Sequence, residues 1–200
     1  MALVFANNNS LSAITTKPSG LSGGAMNLIS TQTASSSSTI SFTSGIDSNY
    51  DSYVFKFYDI HTATDNTFLT FQADTGTNTN YNQTITSTFF EGYHYEDDSD
   101  ANLGYRTSGD QAQGTSFQRI SSSLGTNNDD SAVGTLKVFN PSSTTFVKHF
   151  IYVGNSSYGT YTDNHYIAGY FNTTTAITRF QFKMQSGNID AGTIKLYGVS

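Results

Sequence analysis

Strict alternation of apolar and polar residues near the C-terminal end is the feature that most constrains the fold of this chain. From Arg179 to Gln185 every second side chain is apolar, namely Phe180, Phe182 and Met184. Because successive side chains of an extended strand point to opposite faces, this period of two predicts a β-strand with one buried and one solvated face. An amphipathic helix needs apolar residues three or four positions apart, and we find no stretch with that period.

Ten further segments are rich in aromatic and β-branched residues and are separated by clusters of Gly, Asn, Asp and Ser. The eleven predicted strands cover residues 27–33, 39–43, 52–61, 67–73, 84–95, 116–124, 134–139, 145–153, 165–172, 177–185 and 193–199. Many short strands with turn residues between them are typical of sandwiches and jelly rolls. The sequence therefore predicts an all-β fold, an antiparallel β-sandwich that is jelly-roll-like, over residues 26–200.

The composition favours this β fold over a helical or a disordered chain. Ser, Thr, Asn and Gly make up 90 of the 200 residues and Glu occurs only twice, so strong helix formers are scarce. Tyr and Phe together number 28, and charged residues are 12% of the chain, whereas disordered chains are poor in aromatics and rich in charge. A length of 200 residues suits a single domain of this class.

Residues 1–25 differ from the rest and predict an extended N-terminal docking arm. Residues 17–24 have turn chemistry, and few apolar residues follow Phe5. The apolar residues of such an arm could dock on, or exchange with, a neighbouring subunit. The candidate attachment residues are Leu3, Val4, Phe5, Leu11 and Ile14.

Polar stretches between the strands predict the connections. Residues 74–83, 96–114 and 125–130 are predicted loops. Residues 140–143 contain an Asn-Pro pair, and residues 186–192 contain two glycines and an asparagine. Both of these segments are predicted hairpin connections, because their residues favour turns or tolerate positive φ.

Charge and hydropathy exclude several classes of partner. The net charge is −6 and the nine Lys and Arg residues are scattered without any run of two, so we predict no nucleic-acid partner. No apolar stretch approaches the roughly 18 residues that cross a bilayer, so we predict no membrane insertion. The chain has no cysteine, which excludes thiol catalysis and thiolate metal sites.

No motif predicts catalysis or a cofactor. The sequence lacks a nucleophile elbow, a phosphate-binding loop and a zinc-protease helix motif, so we predict no catalytic residue, no cofactor and no enzyme activity. We also predict no metal site. The one alternative for calcium is the acidic run with Asp97, Asp98 and Asp100, which offers oxygen ligands but lacks the spacing of an EF-hand.

Tyrosines in two segments offer a second possible function. Flat aromatic faces stack on the C–H side of sugar rings, so Tyr93, Tyr95, Tyr158 and Tyr161 form a possible glycan platform. The alternative role is sheet packing or subunit contact, because tyrosine pairs across strands commonly serve both.

Six phrases carry a resemblance to a known family. They are residues 28–37, 44–50, 58–65, 139–149, 168–174 and 184–199. With them the chain resembles structural proteins of tailed bacteriophages, of the decoration, fibre or tail type, especially those of marine and cyanobacterial hosts. The resemblance implies a β-sandwich displayed on a particle and transfers no catalytic residue.

The resemblance implies a virion structural protein that acts by assembly, as a capsid decoration or a tail or fibre component on the surface of the particle. The expected partners are other virion subunits and further copies of the chain, for example in a trimer. The alternative function is a carbohydrate-binding module that recognises a glycan of the host surface. Polar Ser, Thr and Asn faces agree with display in many copies, because they discourage edge-to-edge pairing of sheets.

Overall fold

The computed structural model describes residues 26–200, which form two antiparallel β-sheets packed face to face. The predicted all-β sandwich is therefore confirmed. The strands of this part of the chain are β1 (Asn27–Thr33), β2 (Ile40–Phe42), β3 (Ser52–Thr62), β4 (Leu69–Thr75), β5 (Ile85–Tyr95), β6 (Ala101–Tyr105), β7 (Gln118–Arg119), β8 (Ala132–Phe139), β9 (Lys148–Tyr158), β10 (Tyr161–Phe171), β11 (Ile177–Met184) and β12 (Ile189–Val199). Residues 26–200 contain no helix that is long and apolar enough to cross a membrane.

The strand order is that of a jelly roll with two added hairpins. The larger sheet has the order β1-β12-β3-β8-β9-β10-β5-β6, and the smaller sheet has the order β2-β11-β4-β7. If the hairpins β5–β6 and β9–β10 are set aside, eight strands remain in two sheets of four, the arrangement of a double-sheet jelly roll. Both hairpins join the same edge of the larger sheet and widen it to eight strands, whereas the smaller sheet has four.

The core consists of the facing sides of the two sheets. Phe180, Phe182 and Met184 of β11 are buried, as their alternation predicted. Phe182 lies in the centre, with its ring 5.1 Å from that of Phe55 and 5.2 Å from that of Phe57. These edge-to-face contacts are the geometry that aromatic quadrupoles favour, so the packing of the two sheets is specific.

Three details differ from the sequence prediction. Residues 101–105, predicted as loop, form the edge strand β6. Within the predicted strand 116–124, only Gln118–Arg119 pairs as a strand. The segment 186–192 is not a hairpin connection, because β11 belongs to the smaller sheet and β12 to the larger one. The predicted hairpin at residues 140–143 does join the paired strands β8 and β9, and Asn140 has a positive φ of 41°.

A lysine lies in the core and connects two loops. Lys148 of β9 is fully buried, and its Nζ donates hydrogen bonds to the carbonyl oxygens of Phe146, at 2.9 Å, and Thr173, at 3.1 Å. Burial lowers the pKa of this ammonium group, because it disfavours the charged form. The side chain thereby ties the β8–β9 loop to the segment that follows β10.

Candidate functional site

The two added hairpins form one continuous part of the larger sheet. β10 pairs in register with β9 on one side and with β5 on the other, over all eleven residues. β6 then pairs with β5 and forms the edge. We call the part formed by β9, β10, β5 and β6 the extended half, and the side of the larger sheet that faces away from the smaller sheet its outer face.

Aromatic and aliphatic side chains cross the outer face of the extended half in one row. Phe90 of β5 lies between its cross-strand neighbours Tyr105 of β6 and Tyr166 of β10. Tyr166 in turn lies opposite Val153 of β9. These four side chains, which we call the apolar row, are between 41% and 50% exposed. The solvent-facing side of an antiparallel sheet is more often polar, because residues along each strand alternate between the core and the solvent. Contiguous exposed apolar surface of this kind marks interaction sites.

A groove continues the apolar row along the strands. It has a volume of about 530 Å³, with the small residues Ala168 and Gly169 at its floor and Phe139, Ile151 and Tyr170 among its walls. Ile151 is 46% exposed. The outer face therefore offers both projecting aromatic rings and a recess of a size that admits a side chain.

The four tyrosines of the possible glycan platform lie together at one end of the extended half. The ring of Tyr161 is 5.2 Å from that of Tyr95, 5.8 Å from that of Tyr158 and 6.4 Å from that of Tyr93. All four are half-buried. Most of the contacts are edge-to-face, so part of each flat surface is covered by a neighbouring ring.

Hydrogen bonding and burial raise the pKa of two of these tyrosines, Tyr93 and Tyr161. The hydroxyl of Tyr93 donates to Asp100 Oδ2 at 2.9 Å, and this hydrogen bond raises the pKa of Tyr93. Burial is the main cause of the raised pKa of Tyr161, and the charge of Asp163 adds to it. A raised pKa favours the neutral phenol at Tyr93 and Tyr161, and the hydroxyl of Tyr93 is already engaged with Asp100.

The acidic turn between β5 and β6 holds the three carboxylates of the calcium alternative. Asp97 Oδ1 accepts the backbone N–H of Ser99. Hydrogen bonding from the side chain of Ser99, and then from its backbone, lowers the pKa of Asp97. Asp98 pairs with His94, while Asp100 accepts the hydroxyl of Tyr93. The three carboxylates thus have separate partners, and within residues 26–200 they do not form a group with the spacing of metal ligands.

A buried polar cluster lies on the inner side of the extended half. Glu91, Asp163 and His165 are each at most 8% exposed and bring one potential ligand atom each to within 4.8 Å of the others. Glu91 Oε1 forms an ion pair with Arg106, and His165 Nε2 accepts the backbone N–H of Ser122 at 2.8 Å. Glu91 Oε2, Asp163 Oδ1 and His165 Nδ1 are buried without a hydrogen-bond partner.

The surroundings of this cluster do not fit a metal cation. The guanidinium group of Arg106 already neutralises Glu91, and the ring nitrogen of His165 nearest to Asp163 is occupied by the Ser122 N–H. Arg119 also lies close enough that the charges of Glu91 and Asp163 act on it. Two arginines would repel a divalent ion, so we interpret the cluster as a polar anchor beneath the extended half.

The predicted attachment residues Leu3, Val4, Phe5, Leu11 and Ile14 lie outside the described residues. The apolar row was not predicted from the sequence, although adjacent apolar residues indicate it. Phe89 and Phe90, and likewise Tyr166 and Ile167, are neighbours in their strands, and such neighbours must face opposite sides of a sheet. When both neighbours in a strand are apolar, one of them packs in the core and the other is exposed on the outer face.

Comparison with known proteins adds no family assignment. No family model matches the chain, and none of the curated proteins compared with it matches its sequence.

Proposed function

We propose that this chain is a structural protein of a tailed-phage particle, displayed on the particle surface as a capsid decoration or a tail or fibre component. It acts by assembly and not by turnover. Its partners are further copies of itself and other virion subunits. The resemblance of residues 28–199 to phage structural proteins supports the class of protein, and the outer face of the extended half supports the mode of action.

The apolar row is the observation that carries the assembly role. Four neighbouring strands each contribute one exposed apolar side chain, and the rings of Phe90 and Tyr105 pack edge to face at 5.1 Å. Aromatic residues at the centre of a contact contribute most of the binding free energy of protein interfaces. A flat sheet face with preformed aromatic anchors suits contact with a second copy, because a symmetric contact uses the same patch twice.

Substitution of both central rings should abolish self-association. We expect the wild-type chain to form a defined oligomer at micromolar concentration, and the double variant Phe90→Ser/Tyr166→Ser to dissociate to monomers. Losing two anchors of about 2 kcal/mol each weakens association on the order of 1,000-fold. Light scattering coupled to size-exclusion chromatography measures the mass directly.

The variant Phe146→Ser is the matched control. Phe146 is an equally large aromatic residue that is 69% exposed in the β8–β9 connection, away from the apolar row. The substitution Phe146→Ser should leave the mass of the oligomer unchanged. Two results would contradict assembly through this face. One is a wild-type chain that is still monomeric at 100 µM, a concentration on the order of the weakest useful self-association. The other is an oligomer that survives the double substitution.

A second candidate function, recognition of a host glycan, is favoured by the convergence of the four tyrosines. The four residues lie on β5, at the end of β9 and at the start of β10. The fold brings even Tyr93 and Tyr161 into contact, although they are 68 residues apart in the sequence. Phenol hydroxyls beside partly exposed rings match the mixed polar and apolar surface of a sugar.

Glycan binding should depend on the tyrosine cluster. On an array of neutral oligosaccharides, we expect the wild-type chain to bind and Tyr95→Ala/Tyr158→Ala to lose at least ten-fold in affinity, because the stacking surface is removed. The control is Tyr197→Ala, which should bind like wild type. Tyr197 is a half-buried tyrosine of β12, outside the two added hairpins. A folded wild-type protein without any signal above background would exclude the platform.

A further inference from the structure

A second cleft lies at the open edge of the smaller sheet and concentrates positive charge. It has a volume of about 690 Å³, and its lining includes Arg106, Arg119 and Lys183 but no aspartate or glutamate. Residues 26–200 contain eight lysines and arginines, so three of the eight converge here in a chain of net charge −6. They come from β7, β11 and the segment after β6, and no local sequence pattern connects them.

Aromatic rings hold two of these cations in place without neutralising them. The guanidinium carbon of Arg119 lies 3.5 Å from the centre of the Phe68 ring, and Lys183 Nζ lies 4.1 Å from the centre of the Phe117 ring. Cation–π contacts of this kind fix a charge in position and leave its hydrogen-bond donors free on the other side. Neither Arg119 nor Lys183 forms a salt bridge within the described chain. Residues 1–25 contain no aspartate or glutamate that could supply one.

The hydrogen-bond donors of the cleft are only partly used. Arg119 Nε donates to the carbonyl of Ser121 at 2.7 Å and Nη2 to Ser122 Oγ at 3.4 Å, so most of the five N–H donors of this guanidinium group remain available. Arg106 pairs with Glu91 through Nη2, while its Nε is buried without a partner.

Burial and the neighbouring Arg106 destabilise the charge of Arg119. The pKa of Arg119 is lowered to about 10, mainly by burial and then by the positive charge of Arg106. Glu91 and Asp163 act in the opposite direction but do not restore the ordinary value. A bound anion would offset this repulsion, which makes the cleft better suited to an anion than to water alone.

The remaining lining indicates the kind of anion. The cleft volume lies within the range of sites that hold small organic ligands, and it exceeds the need of a single inorganic ion. Ser108, Ser116 and Gln185 are exposed in its wall and offer hydroxyl and amide groups. Such groups recognise a ligand that carries many hydroxyls, and a guanidinium fork recognises planar or tetrahedral oxyanions.

We propose that this cleft binds an acidic saccharide, with the carboxylate or sulfate group of one sugar unit held between Arg106, Arg119 and Lys183. Ser108, Ser116 and Gln185 bind hydroxyl groups of the same ligand. The inference goes beyond the assembly role and does not depend on it. It also uses a site whose lining contains none of the four tyrosines.

Calorimetric titration of the full chain with two acidic probes and one neutral probe tests the proposal. The acidic probes are a hexamer of galacturonate and a sulfated hexasaccharide, and the neutral probe is maltohexaose. We expect at least one acidic probe to bind, with an affinity that falls as salt is raised. Lys183→Met should weaken that binding at least ten-fold.

The lysine at position 137 provides a matched control for charge. Lys137 is half-buried like Lys183, and its Nζ lies 4.8 Å from the centre of the Phe139 ring, but it is on the larger sheet and outside the cleft. Lys137→Met makes the same change in net charge and should leave binding within about two-fold of wild type, since distant exposed charges are screened. Ser116→Trp should block the cleft and abolish binding without any change of charge.

Each contrary result overturns the proposal in a recognisable way. Equal losses in Lys183→Met and Lys137→Met would show only general attraction of a polyanion. If sulfate or phosphate displaced the hexamers at a concentration comparable to that of the hexamers, the cleft would be a site for an inorganic ion alone. No binding of either acidic probe by the folded protein would exclude the site. Maltohexaose binding as tight as that of the acidic probes, with the same loss in Lys183→Met, would show that the cleft does not select an acidic group. Oligomer mass measured on the same samples tests assembly separately.

Discussion

Replacing Phe182 with alanine is expected to lower the free energy of unfolding by about 3–5 kcal/mol. The side chain is fully buried in β11, and its ring contacts the rings of Phe42, Phe55, Phe57 and Phe71, which belong to both sheets. The loss combines the transfer free energy of the ring with a cavity that these neighbours cannot collapse to fill, because β-strands on both sides fix them. Thermal or urea unfolding measures the change, which corresponds to a melting temperature lower by roughly 6–20 °C.

The control for this substitution is Phe146→Ala. Phe146 is 69% exposed, so its removal should change stability little. A loss below about 1 kcal/mol in Phe182→Ala would mean that the two sheets do not close around this ring as described. Because the apolar row lies on the other side of the larger sheet, Phe182→Ala should weaken the fold without changing the apolar row.

Phe182 also illustrates what the sequence alone could predict. In β11 the alternation is strict because one side of the strand faces the core and the other faces water, so burial could be assigned residue by residue. The same reasoning failed for β6. Its residues Ala101–Tyr105 include few β-formers and pair with one neighbour only, so the strand exists because β5 offers an edge and not because of local propensity.

The connection between β11 and β12 shows a different limit. The glycines and asparagine of residues 186–192 predicted a connection with a positive φ at some position, and Gly187 has a positive φ of 74°. Local turn chemistry does not specify the partner of the next strand, however. In the structure β12 crosses to the larger sheet and pairs with β1 and β3, which is a property of the jelly-roll topology.

The candidate sites follow the same division. Tyr158 and Tyr161 flank a tight turn and could be expected to meet, but the contacts of Tyr161 with Tyr93 and Tyr95 require β5 to pair with β10. The cationic cleft could not be predicted at all. Arg106, Arg119 and Lys183 are up to 77 residues apart, and their scatter along the chain was a reason to expect no concentrated positive charge.

Both added hairpins carry the features that distinguish this chain from a plain eight-stranded jelly roll. The apolar row, the tyrosine cluster and the buried polar cluster all lie on β5, β6, β9 and β10 or directly after them. Jelly rolls host many unrelated functions, so the function must be sought in what is added to the fold. The polar cluster then has a structural task, because it joins β5 and β10 of the extended half to Arg106 and to Ser122 beyond β7 of the smaller sheet.

Arg106→Leu should therefore destabilise the protein by about 3 kcal/mol or more. The substitution leaves the carboxylate of Glu91, whose side chain is 11% exposed, without the ion pair that compensates its burial. The desolvation of an unpaired buried charge is costly, whereas loss of both charges removes the problem. We expect the double variant Glu91→Gln/Arg106→Leu to recover a large part of the lost stability, which a double-mutant cycle of urea unfolding measures.

The exposed pair of His94 and Asp98 is the control for this cycle. Their side chains are 55% and 92% exposed, so Asp98→Asn should leave the melting temperature unchanged within error. If Arg106→Leu were as stable as wild type, or if Glu91→Gln brought no recovery, Glu91 would not depend on Arg106 for its charge compensation. Arg106 therefore serves both the stability of the extended half and the positive charge of the cleft. For that reason Lys183, which forms no ion pair within residues 26–200, is the residue that tests anion binding without weakening the fold.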